Sequence, residues 1–261
     1  MVKLSVVPWG LFPESSIEEA MERTAASGAD AIELLTLGEL SPGEAADLAD
    51  DHGVEIAVVG ATGETAGIDN VSPAVVDPES REQSIAELEE AVETAAAAGG
   101  HNVLVTVGQR QDALDPHAQH VTLVDVLRAV APAAEDAGVT IVPEVLNTRV
   151  DHPGYYLSSS YEGYETVHAV DSPYVKVLYD VYHQQITEGN VIQNLTNNVE
   201  YVGHMHFADV PGRHEPGTGE LNFPRIFDAL DEIGYDGYVG AELTPTSDPD
   251  EVLAEIVEMV R

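Results

Sequence analysis

Eight apolar runs, each followed by a stretch with helical spacing, recur along the chain at intervals of about 30 residues. The runs lie at 3–7, 31–35, 54–59, 102–107, 139–144, 175–180, 201–207 and 237–242. They are mostly continuous rather than alternating, the pattern of parallel strands covered on both faces. Helices are predicted at 16–26, 41–53, 79–98, 122–137, 160–170, 186–197, 223–233 and 250–260. Ser16 is placed to cap the first, with Glu18 and Glu19 in the opening turn, where the helix dipole favours acids. Ser41-Pro42 opens the second, and Gly28, Gly53 and Gly138 stand where helices should stop. Eight such units with no dividing linker predict one (β/α)8 TIM barrel spanning residues 1–261. A doubly wound open sheet is the rival topology. It fits less well, because Pro8-Trp9-Gly10-Leu11-Phe12 follows the first strand in place of a glycine-rich phosphate loop.

Charge narrows the partners. Asp and Glu number 47 against 10 Lys plus Arg, for a formal net charge of −37. Nucleic acid and anionic membrane both need a basic footprint, so neither is expected as a partner. The acids are spread over most predicted helices, as at Glu14, Glu18, Glu19 and Glu22. That spread points to a solvation surface suited to high salt, as in a halophile, where self-repulsion is screened. With no cysteine there is neither a disulfide framework nor a thiolate ligand. No run of 18 apolar residues and no signal-peptide pattern is present, so a soluble cytoplasmic protein is expected.

In a barrel of this kind the reactive groups sit at the C-terminal ends of the strands. Those ends carry Glu144 on strand 5, Asp180 on strand 6, His206 on strand 7 and Glu242 on strand 8. A single acid at a strand end is as readily a structural ion pair. Four metal-competent residues on four consecutive strands are not so easily explained. Burying carboxylates together is costly without a cation, which suggests one divalent ion: Mg²⁺, Mn²⁺ or Co²⁺. Four further residues are candidates for substrate contact: His183, three positions after Asp180; Arg213 and His214 in the loop after strand 7; and Trp9 after strand 1. For Arg213, a guanidinium able to grip a carboxylate, the competing reading is a salt bridge to Glu215 or Glu220. For Trp9 it is core packing, and for His183 a helix-entry histidine. His204 shares parity with His206, one layer deeper, and reads as a support for the ligands or as a core histidine. Glu33 is either a supporting acid or a paired structural charge. Lys176, one layer below the mouth on strand 6, reads better as structural than as a Schiff-base nucleophile.

These residues resemble a known group. Pro211-Gly212-Arg213-His214-Glu215-Pro216-Gly217-Thr218-Gly219-Glu220 resembles the signature loop of the hydroxypyruvate isomerase family, within the xylose-isomerase-like barrels. Glu144-Val145-Leu146-Asn147-Thr148-Arg149, Asp180-Val181-Tyr182-His183-Gln184-Gln185 and Ala241-Glu242 resemble the family's strand-5, strand-6 and strand-8 segments. The resemblance implies that Glu144, Asp180, His206 and Glu242 bind the metal, that Glu144 and Glu242 transfer the proton, and that the chain forms a homo-oligomer. One position departs. Hydroxypyruvate isomerases tend to carry glutamine where His206 stands, whereas ketose 3-epimerases carry histidine.

The expected reaction is therefore a metal-dependent aldose–ketose isomerisation of a small hydroxy-keto acid or sugar through an enediolate, with hydroxypyruvate and tartronate semialdehyde as the leading pair. Arg213 would hold the carboxylate. A ketose 3-epimerase or other sugar isomerase with the same ligands is the near alternative, and a non-catalytic metabolite-binding barrel the distant one. Endonuclease IV chemistry needs more histidines and a basic surface, and the charge opposes it.

Overall fold

A computed structural model describes residues 2–261. The eight strands are β1 (Lys3–Val6), β2 (Ala31–Leu34), β3 (Glu55–Gly60), β4 (Gly100–Val105), β5 (Thr140–Pro143), β6 (Val177–Asp180), β7 (Val202–Phe207) and β8 (Tyr238–Ala241). All run parallel, in the order β5-β4-β3-β2-β1-β8-β7-β6. The ring closes between β5 and β6 through the bridges Ile141–Val175 and Glu144–Leu178 rather than a full ladder. The (β/α)8 barrel expected from the periodicity is the fold observed.

Ten helices flank it: α1 (Pro8–Leu11), α2 (Ile17–Ser27), α3 (Pro42–His52), α4 (Arg81–Ala97), α5 (Pro116–Ala137), α6 (Ser160–Val170), α7 (Val181–Thr187), α8 (Val191–Asn197), α9 (Phe223–Ile233) and α10 (Pro249–Val260). Ser16 caps α2 and Ser41 caps α3, each in a reciprocal box with the glutamate three residues on. Three local expectations are corrected. The helix expected to begin at Thr122 starts at Pro116, where Asp115 caps it and proline occupies the first turn. The helix expected over 186–197 is two helices, α7 and α8, separated where Gly189 and Asn190 adopt φ of 64° and 52°. Residues 8–11, for which no helix is predicted, form the short α1.

Parity along the strands divides the interior into layers. Ala31, Val142, Leu178 and Tyr238 face inward with Ala57, Val58 and Leu104, forming a small apolar plug inside the barrel. Two residues further along the same strands lie Glu33, Glu144, Asp180 and the Gly240–Glu242 segment. Two register shifts adjust this scheme. One lies between Ile32 and Glu33 in the β2–β3 pairing, the other between Val177 and Leu178 in the β6–β7 pairing, where Gly203 is the extra residue. A Cβ on Gly203 would stand 2.9 Å from both Lys176 Cβ and Val142 Cγ1, so glycine lets the bulge pack against the plug. The larger core lies between the sheet and the helices, including Leu4, Ile32, Val105, Leu127, Ile141, Phe207 and Phe223. Among the described residues, no helix is long and apolar enough to cross a membrane.

Candidate metal centre

The end of each apolar strand delivers one polar side chain to the same point. Glu144 follows β5; its N–H donates to Val105 O at 3.1 Å, and its carbonyl accepts from the hydroxyl of buried Tyr155. Asp180 ends β6 and also caps α7, its Oδ1 accepting from the N–H groups of Tyr182 (2.7 Å) and His183 (3.2 Å). Oδ2 lies 3.7 Å from His183 Nε2 and 3.9 Å from Arg213 Nη2. His206 lies on β7, and Glu242 follows β8 with its N–H on Phe207 O. His206 Nδ1 is 3.5 Å from Glu144 Oε1 and 3.3 Å from Glu242 Oε2. Ligand atoms of all four buried residues lie within 4.8 Å of one another.

Two observations show that this donor set fits a divalent ion. His206 Nδ1 and Glu144 Oε1 are buried without a hydrogen-bond partner, in a site where an orphaned acceptor is expensive. The set itself, three carboxylates and one imidazole, matches a hard or borderline cation. One carboxylate, Asp180, is strained in the direction such an ion would relieve, while Glu242 and His206 are held charged by their neighbours. Burial and then Glu242 push the Asp180 carboxyl up to about 7, against the pull of Arg213 and His206. Glu242 lies below the usual carboxylate range: burial opposes its ionisation, but Arg213 and His206 outweigh it. Burial likewise opposes the His206 imidazolium, yet Glu33 and Glu242 raise its pKa well above the usual histidine range.

The rim is supplied by the loops. Arg213, at φ 60°, sends Nη2 onto Glu242 Oε2 and to 3.9 Å from Asp180 Oδ2. Its guanidinium stands 5.4 Å from the Trp9 ring and 5.3 Å from the Tyr182 ring, and its Nε has no partner. Of the readings open for Arg213, the bridge to Glu215 or Glu220 is not formed: Glu215 binds the N–H and hydroxyl of Thr246, and Glu220 accepts from Gln185. Trp9 is 46% exposed on α1, so it is not core packing. His183 is buried; Asn147 Nδ2 lies 2.7 Å from its Nδ1, and its unpartnered Nε2 is 3.7 Å from Asp180 Oδ2. Burial, then Arg213, holds its pKa well below the usual histidine range, so it stays neutral. His214 lies away from the cluster, its Nδ1 on Thr244 O at 2.7 Å. Lys176 is also remote, lining two grooves at the opposite end of the barrel with Pro173, rather than the layer beneath the mouth.

The model of the xylose isomerase-like TIM barrel family matches residues 21–261. The chain belongs to that family. Within this xylose isomerase-like group, a 2-oxo-tetronate isomerase of Cupriavidus necator is 39% identical over 59% of this chain and 59% of its own length. The hydroxypyruvate isomerase of Escherichia coli is 32% identical over 59% of this chain and 60% of its own, in line with the family resemblance seen in the sequence. These matches thus span under two thirds of those relatives. A 2-oxo-tetronate isomerase of Haemophilus influenzae is 30% identical over 90% of both chains. Among solved structures, an AP endonuclease, family 2, from Brucella melitensis superposes with a TM-score of 0.88 at 26% identity, covering 99% of each chain. A D-psicose 3-epimerase from Clostridium cellulolyticum H10 gives 0.83 at 24%, covering 100% of this chain and 98% of that one, a likeness of fold.

The geometry also involves residues not singled out from the sequence. Asp209, buried just after β7, accepts from the N–H groups of Val210, Gly217, Gly219 and Leu221 and so ties the Arg213 loop into one shape. A Cβ on Gly219 would stand 2.6 Å from Asp209 Oδ1 and overlap Val210 O. An aspartate directly before a Pro/Gly-rich loop is a turn-organising signal that could have singled it out. Asn147 binds Val150 N–H, Asp151 N–H and the Asp151 carboxylate while orienting His183; in sequence it is one loop amide among several.

Proposed function

We propose that this chain is a metal-dependent isomerase of small hydroxy-keto acids, acting on hydroxypyruvate, 2-oxo-tetronate or a near relative. The observation that carries the reading is the pair Glu144 and Glu242, facing each other across His206 Nδ1 with Arg213 at the rim. Glu144, Asp180, His206 and Glu242 would hold one Mg²⁺, Mn²⁺ or Co²⁺. Such an ion supplies Lewis acidity, polarising the substrate carbonyl and lowering the pKa of the adjacent C–H. The two glutamates follow different strands, β5 and β8, and both approach His206 Nδ1. One takes the proton from a carbon and the other delivers a proton to its neighbour, an exchange worth roughly 10²–10⁴-fold in rate per general acid or base. Arg213 still has an unpartnered Nε–H, and a guanidinium held between Trp9 and Tyr182 can offer a second edge to a substrate carboxylate. Neutral His183 is suited to hydrogen-bond a substrate oxygen.

A ketose 3-epimerase reading is favoured by one feature, the histidine at 206, and needs no carboxylate clamp. Assaying the chain with Mn²⁺ against hydroxypyruvate, 2-oxo-tetronate and a panel of free ketoses separates the two. Turnover confined to the keto acids, and lost selectively in Arg213→Met, is expected. Faster turnover of ketoses that survives Arg213→Met would overturn the keto-acid assignment. Absence of proton exchange on every substrate would leave a binding barrel. A cytoplasmic homo-oligomer is the form we propose for the enzyme.

A further inference from the structure

One buried charge is not explained by the reaction. Glu33 lies on β2 and is buried, outside the four-residue metal cluster. Its Oε2 is 2.8 Å from His206 Nε2, and its Oε1 is 2.9 Å from His204 Nε2 and 2.6 Å from Ser5 Oγ. The barrel makes room for it. A Cβ on Gly240 of β8 would overlap Glu33 Oε1 and stand 2.7 Å from His206 Cδ2, so that position on β8 is kept bare where the carboxylate crosses to β7.

A carboxylate in this geometry only accepts, so both imidazole Nε2 atoms must carry hydrogen. For His206 this leaves Nδ1 as the nitrogen turned toward Glu144 and Glu242, the one able to give up a proton and present a lone pair to an ion among them. An apolar residue would fill the space at less desolvation cost, since buried ion pairs are poor stabilisers compared with hydrophobic packing. We infer that Glu33 is a positioning residue for the metal: it fixes the tautomer and ring orientation of His206 so that Nδ1 is the ligand, while His204 and Ser5 hold Glu33 in place. The inference rests on the four-residue metal reading above and adds to it which nitrogen binds and what selects it. Carboxylate–histidine–metal arrays of this kind are worth about 10–100-fold in metal affinity.

The test is Mn²⁺ titration, by calorimetry, of metal-stripped wild type and Glu33→Gln, alongside the melting temperatures of both metal-free proteins. A glutamine offers one acceptor oxygen and cannot serve both Nε2–H groups. The expected result is a Kd raised about 10–100-fold, a larger loss than any change in metal-free stability explains. Wild-type binding with a variant Kd within twofold of it would overturn the inference and leave the metal site standing. Failure of wild type to bind would overturn both. Should Glu33→Gln not fold, the ¹⁵N-histidine spectrum of Zn²⁺-loaded wild type decides: His206 protonated on Nε2 and coordinated through Nδ1 is expected, and the reverse tautomer overturns the inference.

Discussion

The two ends of the barrel each carry a polar cluster, and they are built on opposite principles. At the N-terminal end Lys3 Nζ meets Glu55 Oε2 at 2.9 Å, Tyr238 donates to the same carboxylate, and His101 lies 3.5 Å from it. One acid there is surrounded by a cation, a hydroxyl and an imidazole, with Lys3 and Glu55 side chains 43% and 48% exposed. At the C-terminal end Glu144, Asp180 and Glu242 share His206 and Arg213, all four site residues are buried, and acceptors remain without donors. The lower cluster is complete as folded. The upper one is short of positive charge, which is how a cation site differs from a structural salt bridge.

Breaking the upper cluster at its proton-transfer groups should have the largest effect. Glu144→Gln or Glu242→Gln is expected to lower kcat by 10²–10⁴-fold or more, with circular dichroism and the melting temperature of the metal-free protein close to wild type. Wild-type turnover in either variant would remove that residue from the chemistry. Next comes metal removal. Stripping with EDTA should abolish activity and lower the melting temperature, and Mn²⁺ at a hundred times its Kd should return about 2.7 kcal/mol, read by thermal denaturation.

A pH series sharpens the contrast further. Asp180, pushed up to about 7 by burial and Glu242, must lose its proton before an ion can bind. Mn²⁺ affinity should therefore fall by up to tenfold per unit below that pH for this one proton, and keep rising above it while His206, whose pKa is also raised, gives up its Nδ1 proton, with proton release visible by calorimetry in two buffers of different ionisation enthalpy. A flat profile from pH 5 to 8 would contradict the charge strain described. The smallest effect belongs to the lower cluster. Glu55→Gln or Lys3→Met should cost less than about 1 kcal/mol, as exposed pairs do, and leave Mn²⁺ affinity unchanged.

The barrel and its four strand-end metal-competent residues were legible in the sequence for the same reason: a charge inside or at the end of a continuous apolar run stands out, and parallel βα repeats place all such ends on one face. Glu33 stood out equally, but the sequence left it open between a supporting acid and a paired structural charge. Its partners His204 and His206 lie 171 and 173 positions away, and pairing across the barrel depends on the register shifts and on the bare position at Gly240. Arg213 was legible as a cation in an acidic chain, but its partner depended on a left-handed backbone at a non-glycine residue and on the cage around Asp209. His214, its neighbour, faces Thr244 instead, because adjacent loop residues share no periodic rule. The start of α5 was signalled by Asp115-Pro116, and the break between α7 and α8 by Gly189-Asn190, where local chemistry outweighs apolar spacing.

The central claim is that the upper cluster holds one divalent ion. It is tested most directly by a crystal structure of the Mn²⁺-soaked protein with anomalous data collected near the manganese edge. The expected result is a single strong anomalous peak within ligand distance of Glu144, Asp180, His206 Nδ1 and Glu242, with Glu33 still on His206 Nε2. No peak there, with Arg213 still paired to Glu242, would contradict it.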